Sequence, residues 1–172
     1  MEYHGQDGPG GSGSLPSCTG WPALDYHHTP GIRGSPLPLS LHATMILALL
    51  VTAPPQHEQA WHALHFCEAA IAAGHTIERV FFYGEGVLHG NLLNTPPQDE
   101  ADLAPRWASL AANGTELVIC VAAALKRGIL DDGNARRFEK PVANLAPGFI
   151  ISGLGQLAES LVTADRVVSF VP

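Results

Sequence analysis

An α/β domain built on an open parallel sheet of about five strands, with helices on both faces in a flavodoxin-like arrangement, is the fold this sequence predicts. Three observations carry the prediction. Short apolar runs such as Ile46–Thr52, Ile77–Tyr83 and Leu117–Cys120 are continuous rather than alternating, as in strands covered on both faces. Stretches of helical spacing lie between such runs. Strand and helix then alternate to the end with little interruption, the signature of successive βαβ units.

Residues 1–44 stand apart. They are rich in Gly and Pro, with linker composition at Gly8-Pro9-Gly10-Gly11-Ser12-Gly13-Ser14 and no periodic apolar pattern. Such a segment buries too little apolar surface to offset its ordering entropy. A disordered extension is expected, with the domain spanning 45–172. The abrupt change at Met45 also suggests that Met45 is the true start. His4 and His27-His28 have no ligand spacing around them.

From Met45 the elements follow in order. Ile46–Thr52 is a strand, ended by Pro54-Pro55. Glu58–Ala73 is a helix, with Trp61, Leu64, His65, Ala69 and Ala72 on its expected apolar face and Gly74 as its stop. His62 and His65 share a helix face, without a third ligand in view. Ile77–Tyr83 is the second strand, and Gly84-Glu85-Gly86 after it reads as a tight turn, since the dinucleotide fingerprint is absent. A helix is expected from about Glu100 to Ala112, kinked or split by Pro105 and closed by Asn113-Gly114. Glu116–Cys120 is a strand that passes into an Ala-rich helical run ending at Lys126-Arg127-Gly128. A turn at Leu130–Gly133, a short helix around Asn134–Glu139 and a polar connection at 141–147 precede a fourth strand at Gly148–Ile151. Ser152-Gly153-Leu154-Gly155 opens the last helix, to about Thr163, and Val167–Val171 is the last strand.

Composition bounds the function. The 172 residues suit one ordinary domain, and 46 % hydrophobic against 15 % charged content implies a real core. A net charge of −7 argues against a broad nucleic-acid-binding face. Cys18, Cys67 and Cys120 are too widely spaced for a disulfide framework or a zinc site, which fits a reducing, cytoplasmic setting. Met45–Ala53, the longest apolar run, is far short of the ~20 residues of a membrane span.

The chemistry concentrates at Cys120. In an open parallel sheet, reaction sites lie beyond the carboxyl ends of the strands. Thr52-Ala53, Tyr83-Gly84, Cys120 and Ser152-Gly153 would all reach that edge. Cys120 falls between a strand and a helix, and helix N-termini favour anions, thiolates among them. A nucleophilic cysteine suits the position; so does a packed structural one, since cysteine is among the most buried residue types. Cys67, inside a helix among apolar neighbours, reads as packing. Lys126 and Arg127 read mainly as partners for the last carbonyls of their helix. A nucleotide- or flavin-binding module is the alternative on such a sheet, but Ala53-Pro54-Pro55-Gln56 stands where its phosphate loop would be.

Four segments resemble the DsrE/DsrF-like family: Phe81-Phe82-Tyr83-Gly84-Glu85-Gly86-Val87, Ile119-Cys120-Val121-Ala122-Ala123-Ala124-Leu125-Lys126-Arg127-Gly128, Gly148-Phe149-Ile150-Ile151-Ser152-Gly153-Leu154-Gly155-Gln156-Leu157-Ala158-Glu159 and Ala164-Asp165-Arg166-Val167-Val168. The resemblance runs from Met45 to the end. It implies a parallel α/β fold and a sulfurtransferase in which Cys120 carries a persulfide, with no cofactor. It also implies TusB-like and TusC-like partner subunits in a heterohexamer, a TusA-like sulfur donor, a TusE-like acceptor and 2-thiolation of a tRNA wobble uridine at the end of the relay. A subunit of dissimilatory sulfur oxidation and a non-catalytic assembly subunit are the alternatives within the same family.

Overall fold

The structure, a computed structural model, describes residues 43–100 and 102–172. Nearly all of the expected N-terminal extension lies outside the described residues.

Five strands form one sheet: β1 (Ile46–Val51), β2 (Thr76–Phe82), β3 (Glu116–Cys120), β4 (Phe149–Ser152) and β5 (Arg166–Phe170). Their spatial order is β4-β3-β2-β1-β5, and every neighbouring pair is parallel. All carboxyl ends therefore meet at one edge, as the apolar runs predict. The helices are α1 (Glu58–Ala72), α2 (Ala104–Ala112), α3 (Val121–Lys126), α4 (Asp132–Arg137) and α5 (Leu154–Thr163).

Local chemistry sets the helix ends. His57 caps α1, its Nδ1 accepting from the Gln59 N–H at 3.2 Å. Gly74 follows at φ +87°, a conformation that costs glycine nothing. α1 buries Ala60, Ala63, Leu64, Cys67 and Ala70, whereas His65 and Ala69 of the expected face are exposed. The helix is as anticipated but rotated, because alanine on every side leaves little contrast from which to read the stripe. Pro105 neither kinks nor splits a helix. α2 begins only at Ala104, so Pro105 sits in its first turn, where the missing N–H is no loss. Asp102 Oδ1 accepts from the Ala104 N–H at 2.9 Å. Asp131 Oδ1 likewise accepts from the Asn134 N–H at 2.7 Å, which starts α4 two residues earlier than expected.

The tight turn expected at Gly84-Glu85-Gly86 is a 3-10 helix over Gly84–Gly90. It lies against the carboxyl end of β1. A Cβ built on Gly86 would come within 2.2 Å of the Val51 carbonyl oxygen. Backbone thus packs on backbone, and only glycine fits.

Paired contacts assign the two faces of the sheet. Phe82 packs on Trp107 of α2 in an edge-on pair at 5.2 Å and on His89 of the 3-10 segment at 5.3 Å. Phe66 of α1 meets Phe170 of β5 at 5.7 Å. These contacts define a face held by α1, α2 and the 3-10 segment. Glu68 and Arg106 pair between α1 and α2, and the guanidinium hydrogen-bonded to Glu68 holds its carboxyl below the usual range.

The opposite face carries α5. Arg79, buried in the middle of β2, anchors it. Its guanidinium donates to Glu116 Oε2 (2.8 Å), to the Gln156 carbonyl (2.8 Å) and to Ser160 Oγ (2.9 Å), and it lies 3.2 Å from Glu159 Oε2. The buried charge is therefore both paired and hydrogen-bonded.

Candidate functional site

Cys120 is the last residue of β3 and the N-cap of α3. The expected strand-to-helix junction is present, but α3 has only six residues and Cys120 Sγ makes no capping hydrogen bond. Arg127 returns an N–H to the Ala123 carbonyl at 3.3 Å, the end-of-helix role anticipated for it. Gly128 follows at φ +71°.

Side chains alternate along a strand, so Glu116, Val118 and Cys120 share a face, and Glu116 fixes it as the α5 face through Arg79. Ile119 points the other way, within 3.2 Å of a Cβ built on Gly90. Cys120 pairs in register with Ser152 at the end of β4. The chain leaves β3 into α3, which packs against the 3-10 segment, and leaves β4 into α5 on the opposite face. The connections of two adjacent strands thus part between Cys120 and Ser152. Open parallel sheets bind their ligands in the crevice at such a switch point.

Cys120 is only 2 % accessible in this chain, the burial expected of a packed cysteine at this junction. Its side chain leaves β3 on the same face as Val118 and belongs to the hydrophobic core cluster. Cys67 lies in the core of α1, and burial pushes its thiol up to about 12, the neighbouring Glu68 charge adding to the effect. Such a thiol is almost never ionised near neutrality. Cys67→Ala should therefore leave sulfur transfer unchanged, at a modest stability cost from lost packing. A folded Cys67→Ala chain that no longer transferred sulfur would show that this thiol takes part.

His62 and His65 are exposed on α1. The residue that sequence reasoning missed is His89, read there as loop. It is buried between Phe82 and Trp107, and its Nδ1 accepts from Trp107 Nε1–H at 3.2 Å. Nε2 has no hydrogen-bond partner among the described residues. Burial pushes the ring down to about 4. The Ala53 backbone opposes this without closing a hydrogen bond to Nε2. The folded chain therefore favours the neutral ring, and the unfolded chain takes up the proton first as pH falls below 6.5. The contribution of His89 to stability is full above pH 6.5 and is lost as pH falls toward 4, on the order of 3 kcal/mol in all. His89→Gln keeps an acceptor for Trp107 and removes the titration. Its stability should fall less steeply than the parent's between those limits, as measured by urea midpoints against pH. An equal slope would contradict the assignment.

His89 also lines a cavity of about 340 Å³ with Pro55, Gln56, Trp61, Asn94 and Leu103. His89 belongs to the α2 face, and Cys120 is not among the lining residues. Neither Cys120 nor Ser152 lines this cavity.

A profile of the DsrE/DsrF-like family matches residues 45–170. The chain belongs to the DsrE/DsrF-like family. Proteins named sulfurtransferase TusD from Salmonella typhi and Cronobacter sakazakii are 52 % and 51 % identical to it over 128 residues, which is 73 % of this chain and 100 % of each relative. With that identity over the relatives' full length, the chain is a sulfurtransferase. Two solved structures share the fold. The YchN protein of E. coli has a TM-score of 0.58 at 20 % identity, with 74 % of this chain and 100 % of that one covered. A protein of unknown function from Methanobacterium thermoautotrophicum has a TM-score of 0.54 at 12 % identity, with 73 % and 98 % covered. Among the described residues no helix is long and apolar enough to cross a membrane.

Proposed function

We propose that Cys120 is the sulfur carrier through which this DsrE/DsrF-like chain performs sulfur transfer. The observation that carries the reading is its position at the carboxyl end of β3, beside the switch point between β3 and β4. Its thiolate attacks the terminal sulfur of a donor's persulfide. A bond forms from Cys120 Sγ to that sulfur, the donor's S–S bond breaks, and the donor cysteine leaves as a thiolate. The exchange is redox-neutral and needs no cofactor. Onward transfer repeats the step, with Cys120 as leaving group.

The relay reading extends this to a TusA-like donor, a TusE-like acceptor and, at the end, 2-thiolation of tRNA in the cytoplasm. It is supported by the identity to proteins named TusD. Incubation with a persulfidated donor, removal of the donor and cyanide release should recover sulfane sulfur from the chain, close to one equivalent. Recovery of none from folded protein would sink the carrier reading.

The partners in the reading are TusB-like and TusC-like subunits. The α5 side supports association: Ile150 is 49 %, Leu161 64 % and Val162 85 % exposed, and α5 packs on β1, β2 and β5. Co-expression with such subunits should give a single heavy species by light scattering. A monomer under those conditions would count against this assembly.

A further inference from the structure

We infer that Ser152 is a positioning residue for sulfur transfer, its hydroxyl donating to the Cys120 sulfur as thiolate and persulfide; this rests on Cys120 being the carrier. Three observations lead to it. Ser152 is the in-register partner of Cys120 across a parallel pair, so their side chains leave the sheet on the same side, on neighbouring strands about 4.8 Å apart. Arg79 and Glu116, in register on the same face of neighbouring strands, hydrogen-bond across it in the way proposed for this pair. Ser152 is half-buried beside the switch point, and its hydroxyl joins none of the side-chain hydrogen bonds among the described residues, Cys120 included, so it is free to turn onto the sulfur once that carries charge. By contrast, Ser160 and Thr163 of α5 donate to carbonyls four residues back.

Hydrogen bonds to ionised acceptors are stronger than neutral ones, and a sulfur as buried as Cys120 has little water to supply them. A hydroxyl on the adjacent strand supplies one without moving the backbone. In the transfer step the negative charge passes from Cys120 Sγ to the departing donor thiolate, so the donor bond to Sγ holds the attacking sulfur in line. The transferred sulfur keeps its own proton. When Cys120 becomes the leaving group, charge returns to Sγ and the same bond stabilises it. Gly153, Leu154 and Gly155, which follow Ser152 directly, are exposed.

Three proteins test this: the parent, Ser152→Ala and Ser152→Thr. Each is assayed for sulfur acceptance from a persulfidated donor and for the pH dependence of Cys120 alkylation, read by peptide mass. Ser152→Ala should keep its thermal midpoint and accept sulfur roughly tenfold more slowly or worse, the loss expected of one hydrogen bond to a charged group. Its alkylation curve should move to higher pH, and Ser152→Thr should restore both. A merely structural serine would move the thermal midpoint and not the alkylation curve. Parent-like acceptance and alkylation in Ser152→Ala, with the parent carrying sulfur on Cys120, would overturn the inference alone. A parent that carries no sulfur on Cys120 would overturn the carrier reading and this inference with it.

Discussion

Cys120→Ser should abolish acceptance and onward transfer of sulfur while leaving the fold intact. The exchange is close to isosteric, and the residue ends a strand whose other side chains hold the core. The hydroxyl loses its nucleophilic role, because only a thiolate attacks sulfane sulfur at neutral pH. The structural cost is that of burying a hydroxyl where a thiol lay, about 1 kcal/mol or somewhat more. Circular dichroism should be unchanged and transfer should fall to the background of the donor alone. Full transfer by the folded variant would remove Cys120 from the mechanism.

Gly86→Ala should produce the largest loss of stability for the smallest chemical change. The added methyl would sit 2.2 Å from the Val51 oxygen and 3.2 Å from Thr52 Cα. Both neighbours are backbone, and the Val51 carbonyl already accepts from the Tyr83 N–H at 2.9 Å. Relief requires moving the end of β1 or the whole 3-10 segment, at a cost of about 3 kcal/mol or more. Gly84→Ala is the contrast. Nothing lies within 4 Å of its Cβ position, so only the φ of +58° matters, at roughly 1 kcal/mol. Denaturant midpoints at constant slope should rank Gly86→Ala well below Gly84→Ala. The reverse order would show that this contact does not set the position of the segment.

The strands were legible because their apolar runs are continuous, and each helix because a Gly, an Asn or a capping residue bounds it. That logic put Cys120 at the correct edge and Cys67 in packing. Other features depend on contacts distant in the chain. The docking of α5 follows from the Arg79 cluster, in which a β2 side chain meets Glu116 of β3 and Ser160 of α5, residues far apart in the chain. The orientation of α1 was hidden by its alanines. His89 was missed because its partner Trp107 is eighteen residues away, so no local spacing marks it. Pro105 was misread because a proline in a first turn and one in a helix interior look alike until the start of the helix is known.

The central claim is tested most directly by locating the transferred sulfur. The parent chain is mixed with a donor carrying labelled persulfide, the persulfides are trapped by alkylation, and the peptides containing Cys18, Cys67 and Cys120 are separated by mass. The expected result is label on the Cys120 peptide, lost on incubation with an acceptor thiol, with the other two unlabelled. Label on Cys67 or Cys18, with Cys120 bare, would contradict the account.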